Sequence, residues 1–234
     1  MSSAYTPARV DEKGRSTFIA DFSGEIASAA TDLASIGRIF YEKNWVLGTS
    51  GNFSTVIARD PLVFLITASG AHKGELTSKD FLCLGADTSV ISGSGKPSAE
   101  TLIHKAIIDQ RGAGAVLHTH SKWATVLSEV HAPSGGFAIE GYEMLKGLSG
   151  VQTHRHHEWL PILANTQDYA GLQDEVTRLL RDRPDIHGIL LQGHGLYTWG
   201  TQLQEARRHV EILEFLLEVT GTRLTMKTAH SGTI

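Results

Sequence analysis

The sequence predicts an α/β fold in which helices cover a mixed or mostly antiparallel sheet. Long segments with apolar residues at helical spacing alternate with short apolar segments of strand length. Two pairs of strand segments are separated by only a short turn, and such hairpins make neighbouring strands antiparallel. A chain of 234 residues can form one good hydrophobic core and is short for two full domains. We therefore expect one domain over residues 21–228, with flexible ends at 1–20 and 229–234.

Five segments are predicted to be helical because each has a single apolar face. In the first, Ile26, Leu33 and Phe40 share that face, and in the second Ser98 is expected to be the N-cap. The predicted helices are 21–41, 98–109, 121–130, 168–181 and 201–220. The predicted strands are 46–57, 62–67, 81–84, 114–118, 161–163, 188–192 and 196–199.

The composition excludes several classes of partner. The net charge is 21 − 25 = −4, and neither half carries a long basic stripe, so no nucleic acid or membrane partner is expected. The apolar runs are too short to span a bilayer, and the amino terminus lacks the apolar region of a secretory signal. Cys83 is the single cysteine, which rules out an intrachain disulfide and fits a reducing compartment. We expect a cytoplasmic protein.

Three histidines form a candidate metal site. His118 and His120 stand two residues apart at the end of an apolar strand segment, so both rings can face the same side. His194 lies between Gly193 and Gly195, and flanking glycines allow the turn and close approach that present a ligand. Three imidazoles leave tetrahedral zinc an open fourth position, as in catalytic sites. Iron, cobalt, nickel or manganese would also suit these ligands.

Other readings of the histidines stay open. The same three residues also fit two unrelated sets of hydrogen-bonded histidines, because short motifs often match by chance. His154, His156 and His157 lie in a segment that looks solvated, although they too offer ligand nitrogens. His104 falls on a predicted helix, where a structural, hydrogen-bonded histidine is the simpler interpretation.

Two glycine-containing loops have the composition of an anion site. Residues 48–52 (Gly-Thr-Ser-Gly-Asn) and 69–74 (Ser-Gly-Ala-His-Lys-Gly) can direct backbone N–H groups and side-chain donors at a phosphate. Ordinary turns have the same composition, and that alternative stays open. A nucleotide site is not expected, since residues 93–97 resemble a P-loop ending but Pro97 replaces its Ser or Thr.

Several longer motifs occur in a fixed order along the chain. They are Phe40-Tyr41 with Trp45 and Gly48-Thr49, residues 111–122 (RGAGAVLHTHSK), residues 143–147 (EMLKG), Asn165-Thr166, and residues 193–200 (GHGLYTWG). Together these motifs resemble the class II aldolase/adducin family over about residues 22–226. Within the family they are more similar to its dehydratases, which act on a methylthio-substituted ketopentose 1-phosphate in methionine salvage, than to its sugar-phosphate aldolases.

The resemblance implies a fold, an assembly and a set of site residues. The fold would have three layers, with a central, mostly antiparallel sheet flanked by helices. The assembly would be a ring-like homotetramer with active sites near subunit boundaries. His118, His120 and His194 match the family's zinc ligands, one ion per subunit. The positions matching the phosphate site are Thr49, Asn52, Ser69, Gly70 and Ser98, and Lys73 is a plausible addition.

Two glutamates are candidates for the acid/base that the reaction needs. Glu143 matches the catalytic glutamate of the dehydratases, although it also has the spacing to form a solvated pair with Lys146. Glu100 matches the acid/base of the aldolases, although acidic residues are also favoured in the first turn of a helix. We favour Glu143, with Glu100 near the metal supporting substrate or a water.

The same motifs leave three functional alternatives. The first is dehydration of a phosphorylated keto-sugar. The second is a sister activity, either aldol cleavage of fuculose or rhamnulose 1-phosphate or epimerisation of a pentulose phosphate. The third is a non-catalytic scaffold such as the adducin head domain, which has no need for three convergent histidines and two carboxylates.

Overall fold

The structure, a computed structural model, describes residues 22–231 and the side chains of residues 22–227. Residues 1–21, which include the expected amino-terminal tail 1–20, and residues 232–234 lie outside the described part. The helices are α1 (Ser23–Glu42), α2 (Thr101–Arg111), α3 (Lys122–His131), α4 (Tyr169–Asp182) and α5 (Leu203–Ser231). The strands are β1 (Asn52–Arg59), β2 (Leu62–Thr67), β3 (Phe81–Gly85), β4 (Val90–Ser92), β5 (Ala115–Thr119), β6 (Gly136–Ile139), β7 (Glu158–Leu163), β8 (Gly188–Leu191) and β9 (Gly195–Gly200).

The strands form one mixed, mostly antiparallel sheet with the order β4-β3-β2-β1-β5-β9-β8-β7-β6. The pairing of β7 with β8 is parallel, and the other pairings are antiparallel. Strand β5 lies near the middle, between β1 and β9, with His118 opposite Asn52 on one side and Tyr197 on the other. The carboxyl end of β5 therefore meets the amino ends of both β1 and β9.

Helices cover both faces of the sheet, which confirms the predicted three-layer α/β fold. Along β2, Phe64 and Ile66 pack toward α2 and α4, whereas Val63 and Leu65 pack toward α1 and α5. This alternation is the period of two that a strand imposes on its side chains. A third apolar cluster lies between α3, α5 and strands β6 to β8. Within residues 22–231 no helix is long and apolar enough to cross a bilayer.

Several predicted boundaries were wrong. Strand β1 begins at Asn52, so residues 46–51 form a turn rather than the start of a strand. Ser98 is not the N-cap of α2, because that position is occupied by Glu100, although the Ser98 hydroxyl accepts a hydrogen bond from the Glu100 backbone N–H at 3.3 Å. Helix α5 continues to Ser231, past the predicted end at residue 220.

Candidate metal centre and phosphate pocket

The candidate metal centre lies at the carboxyl end of β5, beside the turn that connects β8 to β9. His118 is fully buried on β5, and His120 follows directly after the strand, with its backbone N–H donating to the Trp45 carbonyl at 2.7 Å. Gly193 has φ = 60°, a left-handed conformation that glycine adopts without strain, and it turns the chain just before His194. A Cβ atom on Gly195 would lie 2.0 Å from the Thr119 carbonyl oxygen, so only glycine fits beside β5.

The three imidazoles converge through one nitrogen each. The Nε2 atoms of His118 and His120 are 2.8 Å apart, those of His120 and His194 3.2 Å, and those of His118 and His194 3.3 Å. Two nitrogens bound tetrahedrally to zinc at about 2.05 Å lie roughly 3.3 Å apart. The cluster thus has the dimensions of three ligands around one ion, with the His118–His120 pair slightly closer.

The protonation of the rings fits a cation rather than a set of hydrogen bonds. His118 donates its Nδ1–H to the Leu196 carbonyl at 2.9 Å, and His194 Nδ1 lies 3.2 Å from the Asn165 side-chain oxygen. Burial, followed by the charge of His194, lowers the pKa of His118 well below its ordinary value. A neutral ring that donates from Nδ1 has a lone pair on Nε2. The residues present therefore fit a divalent ion, which would be bound by lone pairs that otherwise face one another.

Glu100 lies beside the histidines at the start of α2. Its Oε1 is 3.3 Å from His194 Nε2, and its Oε2 is 3.5 Å from His118 Nε2. The Asn52 amide donates to Oε2, and the Asn52 oxygen accepts from His104 Nε2. His104 Nδ1 accepts from the Ser54 hydroxyl at 2.7 Å. This chain of hydrogen bonds holds one face of the carboxylate and leaves the other directed at the centre.

His104 is a buried structural histidine that acts on the site through Asn52. Burial lowers the pKa of His104 to about 4, against the opposing effect of the Glu100 charge, so the ring is neutral at pH 7. A neutral ring that accepts at Nδ1 must donate at Nε2, which fixes the orientation of the Asn52 amide. The Asn52 nitrogen therefore faces Glu100. His104 thus fixes the orientation of Asn52, and Asn52 in turn holds the Glu100 carboxylate.

A pocket of about 210 Å³ opens beside the candidate metal centre. Its walls come from the β1 entry turn, the loop after β2 and the start of α2. Glu100 and His120 line the pocket. So do all the residues predicted to bind phosphate, which are Thr49, Asn52, Ser69, Gly70, Lys73 and Ser98. Tyr169, at the start of α4, lies on the same wall, and no motif in the sequence pointed to it.

Lys73 connects the two glycine-containing loops. It is 1% exposed, and its Nζ donates to the Thr49 carbonyl at 3.1 Å and to the Ala71 carbonyl at 2.6 Å. Burial lowers its pKa to about 8, partly offset by the negative charges of Glu100 and Asp80. Lys73 therefore supplies a positive charge to the pocket from a fixed position.

Glu143 lies away from this cluster within its own chain. It begins the short 3₁₀ helix Glu143–Gly147, its side chain is 70% exposed, and it pairs with Lys146 at 2.6 Å and with His154 at 3.6 Å. Hydrogen bonding to Lys146 lowers the pKa of its carboxyl group. Of the two candidate acid/base residues, the fold of one chain places Glu100 beside the histidines and leaves Glu143 on the surface.

Tyr197 belongs to the site and was missed by sequence reasoning. Its ring stacks on His118, with centroids 3.8 Å apart and planes 8° from parallel. Burial, then the Glu100 charge, raises the pKa of the Tyr197 hydroxyl well above its ordinary value, so it stays protonated. The pairing register of β5 and β9 would have identified it, because His118 and Tyr197 are directly opposite each other and their side chains therefore lie side by side.

A second group of metal-ligand types has a different chemistry. Glu158 is buried, and its Oε2 accepts from His156 Nε2 at 2.8 Å and from His187 Nδ1 at 2.9 Å. His187 Nε2 donates to the Ser149 carbonyl at 2.8 Å, so both nitrogens of His187 face acceptors. The ring is then an imidazolium paired with a carboxylate. Both N–H groups of His187 have an acceptor, so hydrogen bonding and ion pairing account for this group without an ion.

The fold and the arrangement of histidines define the class of protein. The family described as Class II Aldolase and Adducin N-terminal domain matches residues 31–220, and the chain belongs to this family. Among its relatives, the methylthioribulose-1-phosphate dehydratase of Sorangium cellulosum is 41% identical over 206 residues, covering 87% of this chain and 94% of the relative. The enzyme of the same name from Pseudomonas fluorescens is 43% identical over 190 residues, covering 81% and 90%.

Solved structures agree on the fold. The crystal structure of L-fuculose-1-phosphate aldolase from Thermus thermophilus superposes with a TM-score of 0.67 at 22% identity, covering 88% of this chain and 98% of that one. The family match and the relatives above 40% identity confirm the resemblance that the motifs indicated, and those relatives are the dehydratases to which the motifs are most similar.

Proposed function

We propose that this protein catalyses the metal-dependent dehydration of 5-methylthioribulose 1-phosphate to 2,3-diketo-5-methylthiopentyl 1-phosphate in the methionine salvage pathway. The names of relatives more than 40% identical over most of the chain support this substrate and reaction. The observation that carries the proposal is the convergence of three imidazole Nε2 atoms beside a pocket lined by six phosphate-binding candidates. A scaffold protein has no use for such an arrangement.

His118, His120 and His194 would hold the metal, which we propose to be one zinc ion per subunit. When bound there, the ion supplies Lewis acidity to an oxygen of the substrate and so stabilises negative charge that develops during proton removal. The backbone carbonyl of Leu196 and the side-chain oxygen of Asn165 hold the rings of His118 and His194 with Nε2 directed inward.

The pocket residues would bind and orient the substrate. Backbone N–H groups and hydroxyls of the two loops, with the charge of Lys73, suit a phosphate dianion. The reaction removes a proton from C3, expels the C4 hydroxyl with a proton as water, and leaves an enol at C3 that becomes the second ketone. A residue that exchanges protons must therefore reach C3 and the C4 hydroxyl.

Glu143 and Glu100 remain the two candidates for that proton transfer. Glu143 is too exposed in its own chain to serve the same chain's histidines, so it would act on the site of a neighbouring subunit. This requires the proposed homotetramer, with sites near subunit boundaries. Glu100, beside His118 and His194, would then hold a water or a substrate hydroxyl. A cytoplasmic location is proposed with this pathway.

One observation favours a second candidate activity, which is cleavage or epimerisation of a sugar phosphate. Glu100 matches the acid/base glutamate of the family's sugar-phosphate aldolases, and it lies within 3.5 Å of the ligand nitrogens. Under that alternative, the same proton-removing centre would cleave a carbon–carbon bond or epimerise a pentulose phosphate. The two alternatives differ in product, because dehydration gives a diketone and water whereas cleavage gives two smaller fragments.

The test is an assay of the purified, zinc-loaded protein with 5-methylthioribulose 1-phosphate, following products by mass spectrometry. We expect loss of one water per substrate, abolished by a chelator and by His118→Ala. A metal-loaded protein that leaves this substrate intact would refute the proposal. Fuculose and pentulose 1-phosphates, assayed in parallel, would then reveal the sister activity.

A further inference from the structure

Glu214 is a buried carboxyl group on α5 at the back of the candidate metal centre. It is 2% exposed, and the Thr119 hydroxyl donates a hydrogen bond to its Oε1. Burial raises the pKa of this carboxyl group to about 7, against hydrogen bonding by the Ser121 and Thr119 hydroxyls, which lowers it. Among the described residues Glu214 has no cationic partner in an ion pair, and these two hydroxyls are what compensate its burial.

These two hydroxyls flank His120 in the chain. Strand β5 ends at Thr119, and α3 begins at Lys122, with Ser121 as its N-cap accepting from the Ala124 N–H at 3.0 Å. His120 therefore lies in the short gap between two regular elements. Its backbone N–H is bonded outside the sheet, to Trp45. The position of its ring therefore depends on how Thr119 and Ser121, on either side of it, are held.

The alternation of side chains along β5 explains why Glu214 can hold the ligands without competing with them. His118 points to the face covered by α2, where Glu100 lies, and Thr119 points to the opposite face, covered by α5. The Glu214 carboxyl group thus contacts the segment that carries His118 and His120 from the face of the sheet opposite to the His118 side chain. Its position on the long helix α5, which packs on β5 and β9, makes it a rigid anchor.

We propose that Glu214 is a positioning residue for the metal centre. By binding the hydroxyls of Thr119 and Ser121, it holds the backbone on both sides of His120 so that Nε2 is placed for coordination. The proposal rests on the metal centre of the proposed function and adds a residue that does not touch the ion. Groups that orient ligands in this way typically contribute about 10- to 100-fold to metal affinity.

The experiment measures the zinc dissociation constant of the full-length apoprotein by competition with a coloured chelator. Thr119→Val removes one hydroxyl without changing shape, and we expect about 10-fold weaker binding. Glu214→Leu removes the acceptor for both hydroxyls, and we expect about 100-fold weaker binding. Glu214→Gln keeps an acceptor oxygen in place and should restore affinity to within about 3-fold of the wild type.

Thr198→Val is the matched control. Thr198 is equally buried, lies opposite Leu117 on the neighbouring strand β9, and donates its hydroxyl to the His187 carbonyl away from the centre. It should lose stability without losing zinc affinity. Wild-type affinity in Thr119→Val would overturn the positioning role, as would an equal loss in the Thr198→Val control. Tight zinc binding by a wild-type protein without dehydratase activity would refute the proposed function and leave this inference standing.

Discussion

His118 and Leu196 are joined across the β5–β9 pair by a hydrogen bond of 2.9 Å from the imidazole Nδ1 to the backbone carbonyl oxygen. A carbonyl can only accept, so this bond fixes the proton on Nδ1 and the lone pair on Nε2. The same strand pairing that builds the sheet therefore determines which nitrogen faces the other two histidines. The chemistry of the centre follows from the register of two strands.

Removal of any one of the three histidines should empty the metal centre. His118→Ala, His120→Ala and His194→Ala are each expected to reduce the metal content from one equivalent to near zero after dialysis, because two imidazoles alone bind zinc weakly. Metal content by plasma emission spectroscopy is the measurement. His157→Ala, at an exposed histidine outside the cluster, is the control and should retain a full equivalent.

The roles of Glu143 and Glu100 can be distinguished by combining inactive subunits in one oligomer. Glu143→Gln and His118→Ala should each be inactive. If Glu143 serves a neighbouring subunit, mixed oligomers regain activity at roughly one site in four, since such a site takes its histidines and its glutamate from different chains. Recovery after co-expression of the two variants is measured. Activity in Glu143→Gln together with a metal-loaded but inactive Glu100→Gln would assign the acid/base role to Glu100.

The charge of Lys73 should make phosphate binding sensitive to alkaline pH. Its pKa is lowered by burial to about 8, so the group is cationic below that pH and neutral above it. A phosphate monoester is already a dianion in this range, so it does not titrate. We expect KM to rise above pH 8 in the wild type, and to be high and independent of pH in Lys73→Met. Lys79→Met, at an exposed lysine nearby, should behave as the wild type.

The buried pair of Glu158 and His187 should stabilise the fold over a defined pH window. Burial would raise the pKa of Glu158, but hydrogen bonds from His187 hold it below 4.5, so this contribution is lost as pH falls below that value. Burial would lower the pKa of His187, but Glu158 raises it above 6.5, so this contribution is lost as pH rises through the higher value. Stabilisation is therefore greatest between these limits.

Glu158→Gln tests this window through the free energy of unfolding in urea. At pH 6 we expect a loss of about 3–5 kcal/mol, because the imidazolium of His187 is left buried without its partner. At alkaline pH the loss should shrink as His187 becomes neutral. Glu140→Gln removes the exposed pair with His157 and should cost under about 1 kcal/mol at either pH. An equal loss at both pH values in Glu158→Gln would contradict this account.

Much of the fold was predictable because its signals are local. Apolar spacing placed the five helices, and turn residues placed both hairpins. Strands β4 and β6 were missed, since they are three and four residues long and carry little periodicity. The end of α5 was missed because the side chains of residues 222–227 are exposed, so no buried apolar face continues past residue 221 to mark this stretch as helical.

Residues of the candidate site were predictable only where they belong to short motifs in the sequence. His118 and His120 follow from a spacing of two on a strand, and the two loops of the candidate phosphate pocket follow from their glycines and hydroxyls. Tyr197 and Glu214 depend on strand register and helix packing between distant segments, which leave no mark in the local sequence. Whether Glu143 reaches a site depends on contacts between chains, and a single sequence does not encode those in any spacing.

The distances along the chain between the ligands set the order in which the centre can form. His118 and His194 are separated by 76 residues, and their rings meet only after β9 has paired with β5. Contacts between such distant segments form late, because the loop between them must first be closed. A chain synthesised only as far as α3 therefore presents His118 and His120 but no complete site. The proposed ion would therefore find all three of its ligands only on a chain that has finished folding.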